Sequence, residues 1–134
     1  EIIEKIKTIG DSYFAVGGLK NNPKDSANNI IRMAKEMILS VSEINNDTSE
    51  MDIQIRIGIH AGPVVTGVIG KHKFAYDLWG AAVKMASRME STSIPGKIHI
   101  SKQVKSLLNA EFSYKKREEI EVKGVGVIDS YFVE

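Results

Sequence analysis

The chain contains no cysteine. That excludes a disulfide framework, a thiolate metal centre and a cysteine nucleophile. No apolar run reaches the about 20 residues that a bilayer crossing needs, and no signal-peptide pattern is present. The expected compartment is the cytoplasm, either for a free protein or for the cytoplasmic domain of a larger, membrane-bound one. An excess of one charge is also missing, since 18 Lys and Arg face 17 Asp and Glu among 134 residues. Without a basic stripe, nucleic acid is not an expected partner. What is present is 43% hydrophobic content, enough for one domain over residues 1–134 to bury a core.

The pattern along the chain predicts an α+β fold. Glu1 to Gly18 reads as a β-hairpin, with Ile2, Ile6 and Ile9 apolar, Gly10-Asp11 at the turn and a β-prone Tyr13 to Val16. Pro23 and Asp25 mark a helix start, and Ala27, Ile30, Ile31, Ala34, Ile38 and Val41 follow at helical spacing. The polar stretch Asn45 to Glu50 reads as a loop. Ile53, Ile55, Ile57 and Ile59 then alternate with polar residues or glycine, the period of a strand with one buried face. Gly62-Pro63, Gly67 and Gly70 punctuate a further extended segment, and Phe74 to Trp79 reads as a strand leading into a helix from Ala81 to Thr92. Pro95-Gly96 turns into Ile98-His99-Ile100, and Ser101 caps a short helix to about Leu108. Ile120 to Val122 and Tyr131 to Val133 read as closing strands, giving a sheet covered by helices on one side.

Chemistry concentrates in residues 71–92. Asp77 stands in an otherwise apolar strand, where an unpaired acid is costly to bury, so it has a partner or faces a cleft. Lys84 and Arg88 lie four apart and share a helix face. That face is either solvated or phosphate-binding, with arginine suited to bidentate contacts and lysine acting as a point charge. Asp11 is either a turn residue capping its own backbone or a Mg²⁺ ligand. Lys7, by strict alternation, shares a face with Ile3 and Lys5, as a solvated strand lysine does. Lys123 is a loop lysine or another phosphate contact. His60, His72 and His99 show no ligand-like spacing and read as structural or exposed.

Together these segments resemble the catalytic domain of the class III nucleotidyl cyclases, the adenylate and guanylate cyclases. The resemblance is carried by EKIKTIGDSYFAVGGL at 4–19, IRIGIHAGPVVTGVIG at 55–70, KFAYDLWG at 73–80, ASRMESTSIPGKIHIS at 86–101, EVKGVG at 121–126 and SYFV at 130–133. It implies a ferredoxin-like palm acting as a head-to-tail dimer, either of two copies or with a related cyclase domain, with active sites between protomers. Asp11 matches a metal-binding aspartate of a site for two Mg²⁺ or Mn²⁺ ions. Lys7 and Asp77 match the pair that reads the adenine edge, which implies ATP as substrate. Arg88 matches the arginine that stabilises transition-state charge, and Lys123 the lysine that holds the terminal phosphates.

Two departures accompany the likeness. The first metal aspartate of the family pattern, with the first strand and helices that carry it, has no counterpart here, so a fragment or shortened domain is expected. That strand normally lies mid-sheet, so exposed core and exposed hairpin edges are expected too. Lys84 stands where the pattern has an asparagine that orients the ribose, and reduced turnover is the expected consequence. The implied function is an adenylate cyclase module under an upstream sensor domain. A weak or inactive cyclase-like module that dimerises and binds nucleotide is the alternative, and a guanylate cyclase is disfavoured by Lys7 and Asp77.

Overall fold

The structure is a computed structural model that describes residues 3–19, 22–48, 50, 52–69 and 75–134. The hairpin is present as β1 (Ile3–Ile9) and β2 (Ser12–Gly17), closed by Gly10 at φ +56°, a turn conformation that glycine adopts without strain. Its register departs from strict alternation. Lys5 pairs with Ala15 but Lys7 pairs with Phe14, so a bulge lies between them. Lys5 and Lys7 therefore do not share a face. Lys5 lies over the Tyr13 ring, while the half-buried Lys7 turns toward the interior cleft.

Helix α1 (Pro23–Asp47) starts where Asn22 accepts a hydrogen bond from the Asp25 amide and donates one to its carboxylate. It runs through Asn45 to Asp47, which the sequence assigns to a loop. The reason is tertiary: Asn45 clasps the backbone of Ile53 twice, accepting from its N–H and donating to its C=O. A polar face does not end a helix that finds such partners.

The alternating isoleucines form less strand than their pattern promises. Only β3 (Ile57–Ile59) pairs, parallel to β6 (Ile98–Ser101). The inward–outward rhythm does persist from Ile53 to Arg56. β10 (Ser130–Val133) continues the sheet antiparallel to β6, and β7 (Tyr114–Lys116) forms its outer edge, giving the order β3-β6-β10-β7. β7 had no sequence signal, being wholly exposed and lysine-rich, as edge strands often are. Among the described residues three ribbons stand apart from this sheet: the β1–β2 hairpin, β4 (Val65–Ile69) with β5 (Ala75–Trp79), and β8 (Ile120–Val122) with β9 (Gly126–Ile128). The strand read at 120–122 therefore closes a hairpin and does not join the main sheet. Helix α3 (Lys102–Lys105) is shorter than expected, because Asn28 reaches across to the Leu107 carbonyl and the Asn109 amide.

Ile31 and Ala34 of α1 pack with Ile59, Ile98, Ile100, Tyr131 and Val133 to form the core. Alternation sends Gly58, His99 and Phe132 to the opposite face, where helix α2 (Ala81–Ser91) lies. The α+β class stands, but the two long helices divide between the two faces of the sheet. A glycine and a histidine in the strands leave room there for a second layer. Among the described residues no strand joins β2 to β3, and an open cleft of about 1470 Å³ lies between them.

Candidate active site

Three of the residues singled out by sequence line this cleft: Lys7 from β1, Asp11 from the hairpin turn and Lys84 from α2. The β1 bulge brings Lys7 there, and the glycine turn leaves Asp11 exposed. Lys84 sits on the first turn of α2, exposed, with its amide bonded to the carbonyl of Gly80. Gly80 takes φ +125° and begins the helix sharply after β5. Arg88 follows one turn later on the same helix face and is half-buried. Lys123 lies at the exposed tip of the β8–β9 hairpin, away from the cleft lining. Asp77 is placed by its backbone alone, opposite Gly67 in the β4–β5 ribbon; its side chain lies outside the described part, as do His72 and Phe74.

Helix α2 is fixed by residues that the sequence did not nominate. At Gly58 an added Cβ would lie 2.0 Å from the Glu90 amide nitrogen and 2.3 Å from the Met89 carbonyl carbon, so helix and strand touch backbone to backbone. Met89 is fully buried. Arg56 pairs with Glu90, Arg117 donates to the Thr92 carbonyl at 2.7 Å, and His99 bonds the Met89 carbonyl at 2.8 Å. The one available signal was the glycine inside the isoleucine run, since a strand glycine often marks close backbone approach.

Two of the three histidines are structural, as read. His99 is completely buried, and Nδ1 must carry the proton because the Met89 carbonyl can only accept. Nε2 is then free to accept from the Ser130 hydroxyl at 2.7 Å. Burial is the main influence on this ring and pulls its pKa below the ordinary 6.5, with the nearby Arg117 pushing the same way against the Met89 bond. His60 lines the cleft, and its Nδ1 lies 2.8 Å from the Ser101 hydroxyl. That hydroxyl also accepts from the Val104 amide and keeps its own hydrogen for a further partner. Burial lowers the His60 pKa as well.

Asp11 offers hard carboxylate oxygens in a cleft that also holds two lysines. This suits Mg²⁺ or Mn²⁺, which bind through one or two carboxylates and complete their shell with substrate phosphate. Among the described residues no group of three or more histidine, aspartate or glutamate side chains is arranged to hold an ion without such help. No helix among them is long and apolar enough to cross a membrane.

Comparison with known proteins gives these residues a context. The family model for the adenylate and guanylate cyclase catalytic domain matches residues 1–134. Guanylate cyclase soluble subunit beta-2 of Rattus norvegicus is 42% identical over 132 residues, covering 98% of this chain and 19% of its own length. An adenylate cyclase of Mycobacterium tuberculosis is 37% identical over 131 residues, covering 98% and 29%. The catalytic core of a rhodopsin-guanylyl cyclase with converted specificity, solved with ATPαS, superposes with a TM-score of 0.87 at 38% identity, over 98% of this chain and 71% of that one. The chain thus spans under a third of the length of these curated relatives. By its matched length and its architecture, the chain belongs to the adenylate and guanylate cyclase catalytic domain family.

Proposed function

We propose that this domain is an adenylate cyclase, converting ATP to 3′,5′-cyclic AMP and pyrophosphate. The observation that carries the reading is the placement of the charged side chains: Asp11, a metal-binding type of carboxylate, is exposed at the hairpin turn, and exposed Lys84 shares one face of α2 with Arg88. In this reading Lys7 donates to a ring nitrogen of adenine and Asp77 accepts from the exocyclic amine. Lys123 holds the terminal phosphates. Arg88 offsets charge as the ribose 3′-hydroxyl attacks the α-phosphate in line and pyrophosphate departs. Positioning and charge stabilisation supply most of such a transfer, so the absence of a protein base among these residues is no obstacle.

Asp11 would hold Mg²⁺ or Mn²⁺ together with phosphate oxygens, two ions being expected at the working site. When bound, the ions lower the pKa of the ribose hydroxyl and neutralise the triphosphate. A second copy or a related cyclase domain completes the site, Asp11 acting opposite the other residues across a dimer groove. Regulation by an upstream sensor domain and residence in the cytoplasm belong to the same proposal.

Lys84 favours a second reading, a weak or silent module that binds nucleotide and regulates a partner. A cation where the family has a ribose-orienting asparagine donates but cannot accept. The test is product identification after incubation of the purified protein with Mn²⁺ and either ATP or GTP. Cyclic AMP from ATP supports the proposal. Cyclic GMP alone would make it a guanylate cyclase, and nucleotide binding without product would favour the regulatory module.

A further inference from the structure

Arg88 and Lys123 sit on separate elements, yet both must meet one polyphosphate if the reading above holds. Lys123 rides a two-stranded ribbon that pairs with no other strand among the described residues, and such ribbons have little rigidity of their own. Its direction is set at its base, where Arg117 follows β7 and Ser130 opens β10. The Arg117 amide donates to the Ser130 carbonyl at 3.0 Å, tying the two stems together. From that tie, two side chains reach α2. The Arg117 guanidinium lies 4.8 Å from the Phe132 ring centre and donates to Thr92 O, at the C-terminal end of the helix. Ser130 donates to Nε2 of His99, whose Nδ1 donates to Met89 O, the residue after Arg88. The His99 and Phe132 rings are 5.2 Å apart, so the parts form one packed unit.

We propose that Arg117 is a positioning residue for the cyclase reaction, acting with His99 as the joint that fixes the Lys123 hairpin relative to the Arg88 helix. Neither residue lines the cleft. Their work is to hold two cations in register on the same triphosphate, so that losing the joint acts through Lys123. The inference rests on the phosphate role given to Lys123 above.

A double-variant cycle separates this from a merely structural role. Arg117→Gln, Lys123→Ala and the pair are compared for kcat and KM on ATP. The joint predicts that Arg117→Gln impairs the same kinetic parameter as Lys123→Ala, by about tenfold or more, since small misplacements of a contact are costly. It also predicts that the double variant lies within about twofold of Lys123→Ala alone, the non-additivity of coupled residues. If Arg117→Gln does not fold, Arg117→Lys goes through the same cycle, because it keeps the charge and loses the fork. Fully multiplicative losses overturn the joint and leave Lys123 in place. A fully active Lys123→Ala overturns both the phosphate role and the joint.

Discussion

Gly58→Ala is the substitution that most sharply tests how α2 is held. The new methyl would start 2.0 Å from the Glu90 nitrogen, where ordinary contact begins near 3.4 Å. The helix must therefore retreat by roughly 1.4 Å, because the blocking atoms are backbone and cannot rotate aside. Overpacking of this kind costs about 1–3 kcal/mol. The upper end is expected, because the retreat also loosens fully buried Met89 and stretches the His99 bond to its carbonyl. For a domain of this size about 3 kcal/mol lowers Tm by roughly 10 °C. Turnover should suffer more than stability, because Arg88 and Lys84 move with the helix and a 1 Å error at a reacting centre can cost about 100-fold. Thermal denaturation followed by circular dichroism, alongside ATP turnover at a temperature where the variant is folded, measures both. A variant within 2 °C of the parent and fully active would refute the backbone-to-backbone account.

Other expectations follow from the same geometry. His99 has a folded pKa below 6.5, so the unfolded chain binds the extra proton first; stability is full above that value and declines as pH falls below it, with His60 adding in the same direction. Tm measured from about pH 7 downward should show this decline, and His99→Asn, lower in Tm throughout, should flatten it; an unchanged slope would remove His99 as its source. Lys84→Asn restores an acceptor to the first turn of α2 and should raise cyclic AMP output several-fold, whereas a fall would show that the cation contributes to turnover. Lys7→Glu combined with Asp77→Asn reverses donor and acceptor toward the guanine edge, and the GTP-to-ATP ratio of kcat/KM should rise at least tenfold. An unmoved ratio would place purine selection elsewhere.

Much of this arrangement was legible in the residues alone. The Gly10-Asp11 turn, the α2 helix after Gly80 and the i, i+4 pairing of Lys84 with Arg88 depend on local rules, and they appear where those rules put them. What stayed hidden depends on register and on distant partners. No local pattern announces that β1 gains a bulge between Lys5 and Lys7, yet that slip decides which lysine faces the cleft. Asn45 extends α1 only because Ile53 comes back to meet it. β7 and β9 are three residues each, too short and too exposed for alternation to show. The Arg117–His99–Ser130 contacts join residues up to 31 positions apart, which spacing in the sequence does not reveal.

The most direct test of the central claim mixes two crippled proteins. Asp11→Asn and Arg88→Ala are assayed for conversion of labelled ATP to cyclic AMP with Mn²⁺, separately and in equal mixture. A cyclase site shared between two copies predicts that the parent is active, that each variant falls by about 100-fold or more, and that the mixture regains a substantial part, since one of its two grooves then carries neither lesion. No cyclic AMP from the parent, or full activity in either variant alone, would contradict the account.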